Sequence, residues 1–171
     1  MTDTVVVTGA SRGLGRFCAE QLHEAGYRVV GLGRSRVEAP FEMRTADVAD
    51  SESVAAALKD LRREPSLYAL INAAGIASMN LVITSPAETV RRIVETNLLG
   101  TIFCCQQIAP ALIKRGTGRI INFSSSACKD SRSPFSHSAG IFASASSTTS
   151  SGKFRTRSSQ GWKSSQLLTC A

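Results

Sequence analysis

The sequence predicts an α/β protein: a doubly wound parallel sheet, incomplete at about five strands, over residues 1–126, followed by a serine-rich basic tail over 127–171. Three observations carry this. Short apolar runs of strand length alternate with amphipathic stretches of helix length as far as residue 125. The runs are continuously apolar, as in strands covered on both faces. The polar motifs fall where those runs end, and there such sheets bind ligands; only Asn97, within a helical stretch, departs from this.

The elements follow in order. "TVVVTGA" at 4–10 is a β-branched run closed by a glycine, and reads as a buried strand. "GLGRFCAEQLHEAGY" predicts a helix with Leu14, Phe17, Cys18, Leu22 and Ala25 at helical spacing and Gly26 as its stop. "RVVGLGRS" is a second strand. "EMRTADVAD" is a short third one, with room for a brief helix before it. "SESVAAALKDLRRE" predicts a helix capped by Ser51 or Ser53, with Pro65 beyond its end. "LYALINAAG" at 67–75 is the fourth strand. "SPAETVRRIVETNLLGTIFCCQQIAPALIKRG" is a long helical stretch with the stripe Val90, Ile93, Val94, Leu98 and Ile102; Pro110 is expected to kink or divide it. "GRIINFSS" at 118–125 is the fifth strand. Strands and helices in this order imply parallel pairing through right-handed crossovers.

After Ser126 the pattern stops. Residues 128–171 hold 13 serines and few large aliphatics, a composition that cannot bury enough apolar area to offset chain entropy, so disorder is expected there. The charge is uneven too. Residues 1–127 carry 14 basic and 12 acidic side chains, residues 128–171 six basic and one acidic. The net charge of +7 therefore belongs mostly to the tail. With no aromatic interleaving there to stack bases, no nucleic-acid partner is expected.

Five cysteines with no C-x-x-C pair argue against a disulfide framework or a metal site. Cys104 and Cys105 read as core packing. No apolar run approaches bilayer-spanning length, and the N-terminal segment lacks a signal peptide's basic and apolar regions. The expectation is no membrane partner and a cytoplasmic location.

"TGASRGLG" sets Gly9, Gly13 and Gly15 at the first strand-to-helix turn. Gly9 permits the tight turn, Gly13 lets backbone approach a phosphate, and Gly15 lets helix pack on strand. The helix N-terminus offers free N–H groups to a pyrophosphate. The alternative is a glycine-rich turn without a ligand, but the strand before and helix after supply the context the motif needs.

The spacing T-G-x-x-x-G-x-G resembles the short-chain dehydrogenase/reductase family. "INAAG" at 71–75, "ETNLLG" at 95–100 and "GRIINFSS" resemble its later motifs, in the right order; the chain is similar in particular to the 3-oxoacyl-[acyl-carrier-protein] reductases. The resemblance implies a Rossmann-like fold, a nicotinamide cofactor, and hydride transfer between NADPH and a carbonyl or secondary alcohol. It implies that Ser11, Arg12 and Leu14 join the three glycines at the phosphates, that Asp47 and Val48 lie at the adenine, and that Asn72, Ala73, Ala74 and Gly75 run along the ribose. It makes Ser125 and Asn97 the catalytic positions. It also implies a small-molecule carbonyl or acyl substrate and a homo-oligomer, built partly through the long helix and impaired here. Asp47 has a plainer alternative as a cap of the next turn.

The cofactor form is legible apart from the resemblance. A carboxylate after the second strand favours NAD by accepting from a ribose 2′-OH. Here that place reads "LGRSR". Arg12 and Arg34 suit a 2′-phosphate, so NADP is expected; the alternative is two solvated arginines.

One departure stands out. The family's Tyr moves the substrate proton and its Lys tunes that Tyr, in a Y-x-x-x-K motif about thirteen residues beyond the Ser. Those places hold Ser138 and Phe142, and the only tyrosines are Tyr27 and Tyr68. The chain as written is expected to be inactive. A non-catalytic module that binds NADP or a partner is the alternative. An altered reading frame or aberrant splice after about Ser126 accounts for the change in composition better than a natural serine-rich tail, the alternative.

Overall fold

Val5, Val6 and Val7 are at most 2% exposed, which requires a layer on each side of their strand. A computed structural model supplies both layers; it describes residues 2–78, 82–125, 141–148 and 154–157. Strand β1 (Thr4–Thr8) leads through the glycine turn into helix α1 (Gly13–Glu24). β2 (Arg28–Gly33) and β3 (Glu42–Thr45) follow, with no helix between them. Helix α2 (Ser51–Leu58) and a single 3₁₀ turn (Leu61–Arg63) return the chain to β4 (Leu67–Asn72). Then come α3 (Ala87–Val94), a π-helical turn (Glu95–Leu99), α4 (Gly100–Arg115) and β5 (Gly118–Ser125).

The five strands form the expected parallel sheet in the order β3-β2-β1-β4-β5. The chain reverses direction across the sheet between β1 and β4, and a crevice opens at such a switch point. Alternate residues feed opposite cores, as strand geometry requires. Val6, Val30 and Leu70 pack with α2 and α4 through Val54, Leu58, Ile108 and Leu112. Val5, Val7 and Val29 pack on the other face with Ala19, Phe41 and Met43. Each such aliphatic side chain contributes about 1.5–3 kcal/mol on burial.

Several elements differ from expectation in ways the packing explains. The buried face of α1 is Gly15 and Ala19, while Phe17 is 41% exposed and Ala25 exposed; a helix close to a sheet needs small residues at the contact. The cap of α2 is Asp50, whose carboxylate accepts from Glu52 N at 2.9 Å, in place of Ser51 or Ser53. α4 runs unbroken through Pro110, which lies on its exposed side. The stripe Val90, Val94, Leu98 and Ile102 is 40–55% exposed, and the buried side is instead Gly100, against Val48, with Cys104, Ile108 and Leu112 in the core. A spacing of four recurs on both sides of this helix, so periodicity alone does not choose between them.

The α3–α4 region is one continuous helix from Ala87 to Arg115, long and apolar enough to cross a membrane by length and composition. In the sequence this stretch does not read as one apolar run, because Arg91, Arg92 and Glu95 interrupt the apolar residues. In the fold this helix packs on the sheet through α4.

Two stretches beyond Ser126 are strands, where the serine-rich composition predicts no regular element. β6 (Ile141–Thr148) pairs antiparallel with β5, from Gly118 opposite Thr148 to Ser125 opposite Ile141. β7 (Phe154–Arg157) pairs antiparallel with β6. The physical reason is the edge of β5, whose backbone N–H and C=O groups pair with any extended segment brought alongside. Ser126, Ser138, Cys128 and Cys170 lie outside the described residues.

Candidate cofactor site

The site begins with what β1 does at its end. Thr8 is 1% exposed, and its Oγ1 accepts from Ala73 N at 3.1 Å and Ala74 N at 3.0 Å. The loop after β4 is thereby tied to the loop after β1. Gly9 follows with φ +71°, and a Cβ there would stand 2.8 Å from Ala74 Cα. Gly15 would bring a Cβ to 2.4 Å from Gly9 O, so its missing side chain is what lets α1 rest on β1. Gly13 is different. Its φ is +57°, and a Cβ would meet nothing within 4 Å. It faces open space beside the first turn of α1, which carries no side-chain cap. The N–H groups of such a turn are unspent donors.

That space is a cleft of about 430 Å³ at the carboxyl ends of β1, β2 and β4. Gly9, Ser11, Arg12, Gly13, Leu14 and Gly15 line one wall. Arg34, Asp47 and Val48 line a second, and Ala73, Ala74 and Gly75 a third. The structure thus brings together all the residues expected at a cofactor except Asn72. Asn72 is 4% exposed and turned into the sheet, where its Nδ2 donates to Asn122 Oδ1 at 2.8 Å. It braces β4 against β5 and does not face the cleft. The Asp47 carboxylate both borders the cleft and accepts from Ala49 N at 3.0 Å, so the capping role is also realised.

Asn97 sits in the π-helical turn, a rare feature concentrated at functional sites. Its Oδ1 accepts from Ile76 N and its Nδ2 donates to Ile76 O, both at 2.8 Å. This paired contact fixes the loop after β4 along the cleft wall. Ser125 is the last residue of β5. Tyr27 and Tyr68 do not line the cleft; Tyr27 packs at the rim of a core, and the Tyr68 ring lies under the Arg115 guanidinium at 5.5 Å.

Comparison with known proteins fits this geometry. A family model described as short chain dehydrogenase matches residues 3–140. The chain belongs to the short-chain dehydrogenase family. A 3-oxoacyl-[acyl-carrier-protein] reductase FabG of Staphylococcus aureus (strain Mu50 / ATCC 700699) is 36% identical over 139 residues, covering 73% of this chain and 56% of that protein. A dehydrogenase/reductase SDR family member 7B of Danio rerio is 32% identical over 140 residues, covering 71% and 45%. The ligand-free aldohexose dehydrogenase of Thermoplasma acidophilum superposes with a TM-score of 0.63 at 31% identity, covering 66% of this chain and 45% of that one. The chain spans about half the length of the curated relatives it matches.

This short-chain dehydrogenase chain has cleft residues that the sequence alone leaves unmarked. Ile76, Arg92, Glu95 and Thr96 also line the cleft. Ile76 follows directly on "INAAG", so extending that motif by one residue finds it. Arg92 is one of two adjacent arginines on a helix, and only the fold tells which of them faces the cleft. Among the described residues, Arg12, Arg34 and Arg92 form no ion pair.

Proposed function

We propose that this chain holds NADP(H) in the cleft and, as it stands, does not itself reduce a carbonyl. The observation that carries the cofactor reading is the pair Arg12 and Arg34 at the cleft, with no carboxylate in "LGRSR" at the end of β2. The empty space at Gly13 fits a phosphate approaching backbone, and the uncapped first turn of α1 fits its charge. Ser11, Leu14 and Gly15 would complete that phosphate end. Asp47 and Val48 would flank the adenine, and Ala73, Ala74 and Gly75 the ribose. When bound, the nicotinamide supplies the hydride for an oxidoreduction of the family's kind, between NADPH and a carbonyl or secondary alcohol. The names of the relatives make a 3-oxoacyl group one candidate substrate class. Asn97 would hold the cleft wall through Ile76, and Ser125 would polarise the carbonyl.

No tyrosine lines the cleft, and Ser138 and Phe142 stand where the family's proton donor and lysine are expected. The chain's own part is therefore to bind, orient and exclude water. Free thiols at Cys104 and Cys105 agree with a reducing, cytoplasmic setting. The exposed stripe Val90, Val94, Leu98 and Ile102 supports a homo-oligomeric contact.

Titration of NADPH and NADH by nicotinamide fluorescence tests the binding reading. NADPH is expected to bind at least about tenfold tighter, a preference worth 1.4 kcal/mol, and Arg34→Gln to abolish the difference. Equal affinities would sink the NADP assignment. Sustained NADPH oxidation with a carbonyl substrate, lost in Ser125→Ala, would overturn the proposal that the chain is inactive.

A further inference from the structure

The cofactor cleft opens outward into a second hollow of about 320 Å³. Arg12, Arg34, Ile76 and Arg92 border both spaces, and Ser78 and Thr89 add hydroxyls to the outer one. Among the described residues, the outer hollow is lined by three arginines and by no Asp or Glu. Asp47 and Glu95 border the inner cleft and not the outer hollow. Like charges gathered in a concave site without acids raise its potential and favour a multiply charged anion.

The arginines come from three separate elements: the turn before α1, the end of β2, and α3. The first two belong to the half of the fold that the glycine turn organises. The third comes from α3, which follows β4 in the chain. α3 itself has no buried residue, so little apolar packing holds it, and such elements open at low free energy.

We propose that Arg92 is a third arm of the 2′-phosphate clamp, closing on the cofactor from α3. This rests on the NADP reading above and extends it. A phosphate monoester carries about −1.5 to −2 charges and three acceptor oxygens. Arg12 and Arg34 border the space where it would lie, and Arg92, bordering the same space from a third element, adds further donors. Binding would then pin α3 to the rest of the fold through the ligand, so cofactor choice and order in this helix are linked. NADH, lacking the phosphate, would leave α3 as it is.

The experiment uses the full chain with NADPH and NADH as probes. Arg92→Gln is expected to weaken NADPH about tenfold, to change NADH less than about twofold, and to reduce the salt dependence of NADPH binding. Arg92→Lys should retain part of the affinity, since it keeps the charge but loses the fork. Arg92 is exposed, and an unchanged melting temperature establishes that the variants fold. In hydrogen exchange, NADPH should slow the amides of residues 87–94, and NADH should not. Loss of both cofactors by the same factor, or no loss of either, overturns the third arm. If the wild-type chain discriminates and Arg34→Gln abolishes the difference while Arg92→Gln does not, the clamp has two arms and the NADP reading stands. If the wild-type chain does not discriminate, the NADP reading fails and this inference fails with it.

Discussion

Gly13 and Gly15 lie two positions apart in one motif and answer to different forces. At Gly15 a Cβ would collide with backbone, so relief requires moving α1 off β1. Gly15→Ala is expected to cost about 1–3 kcal/mol, the range for overpacking, read from the urea midpoint. At Gly13 there is no collision, only a left-handed φ of +57°. Gly13→Ala should cost about 1 kcal/mol or slightly more, yet weaken NADPH strongly by filling the phosphate's approach. Their order would be reversed if Gly13 merely shaped the turn. The motif spacing makes both glycines legible in the sequence. Their separate roles are legible there too, and the structure adds that a Cβ at Gly15 would meet Gly9 O and Thr8 O while one at Gly13 would meet nothing within 4 Å.

Cys104 is a second residue whose role is physical rather than chemical. It is fully buried, and burial holds its thiol up to about 12, from an ordinary value of 9.0. Between those values the unfolded chain carries a thiolate and the folded chain does not. The unfolded state thus binds fewer protons, and stability falls as pH rises through that window, by up to about 1.4 kcal/mol per pH unit. Cys105, raised by its own burial, adds in the same direction. Urea midpoints at pH 8 and pH 10.5 should fall further apart in the wild-type chain than in Cys104→Ala. An equal fall in both would show that the thiol does not contribute. The apolar stretch around this cysteine pair makes core packing legible in the sequence.

Among elements, β3 and α2 are joined by a contact that sequence periodicity does not reveal. Arg44 on β3 reaches the end of α2, where it donates to both Asp60 oxygens at 2.6 and 2.9 Å and to Ala57 O at 2.7 Å. It also meets Glu42 at 2.7 Å. The Arg44 hydrogen bond holds the Asp60 carboxyl down at about 2. A depressed carboxylate contributes stability above its unfolded value of 3.8, lost as pH falls toward 2. Asp60 is 64% exposed, so its share is no more than about 1 kcal/mol. Arg44→Met is expected to cost about 1–2 kcal/mol at pH 7 through the lost hydrogen bonds. The gap to wild type should narrow at pH 2.5; a gap independent of pH would assign the whole cost to the Ala57 carbonyl. The elements themselves were readable because strand and helix periods differ. The faces of α1 and of the long helix were not, since Phe17 and Leu98 are as apolar as the residues that do pack. What selects the buried face is the room each side needs, and Gly15, Ala19 and Gly100 need least.

At the scale of the whole molecule, the exposed stripe is the surface through which the chain is expected to associate. Val90, Val94, Leu98 and Ile102 are between 40% and 55% exposed along one continuous helix, of which only the α4 part is buried against the core. A contiguous apolar surface of that kind marks an association site. Pairing two copies of the same helix across a two-fold axis buries it with one self-complementary patch. Arg91 and Glu95 flank the stripe with opposite charges, which an antiparallel pairing brings face to face. Sedimentation at increasing protein concentration is therefore expected to show assembly beyond the monomer. Val94→Glu with Leu98→Glu should shift the chain to monomer, because each buried glutamate would leave an unpaired charge at the contact. NADPH affinity should be retained in that variant, since neither residue borders the cleft. A wild-type chain that stays monomeric would refute the association, and a double variant that assembles unchanged would place the contact elsewhere, with the sheet edge at β7 the next surface to test.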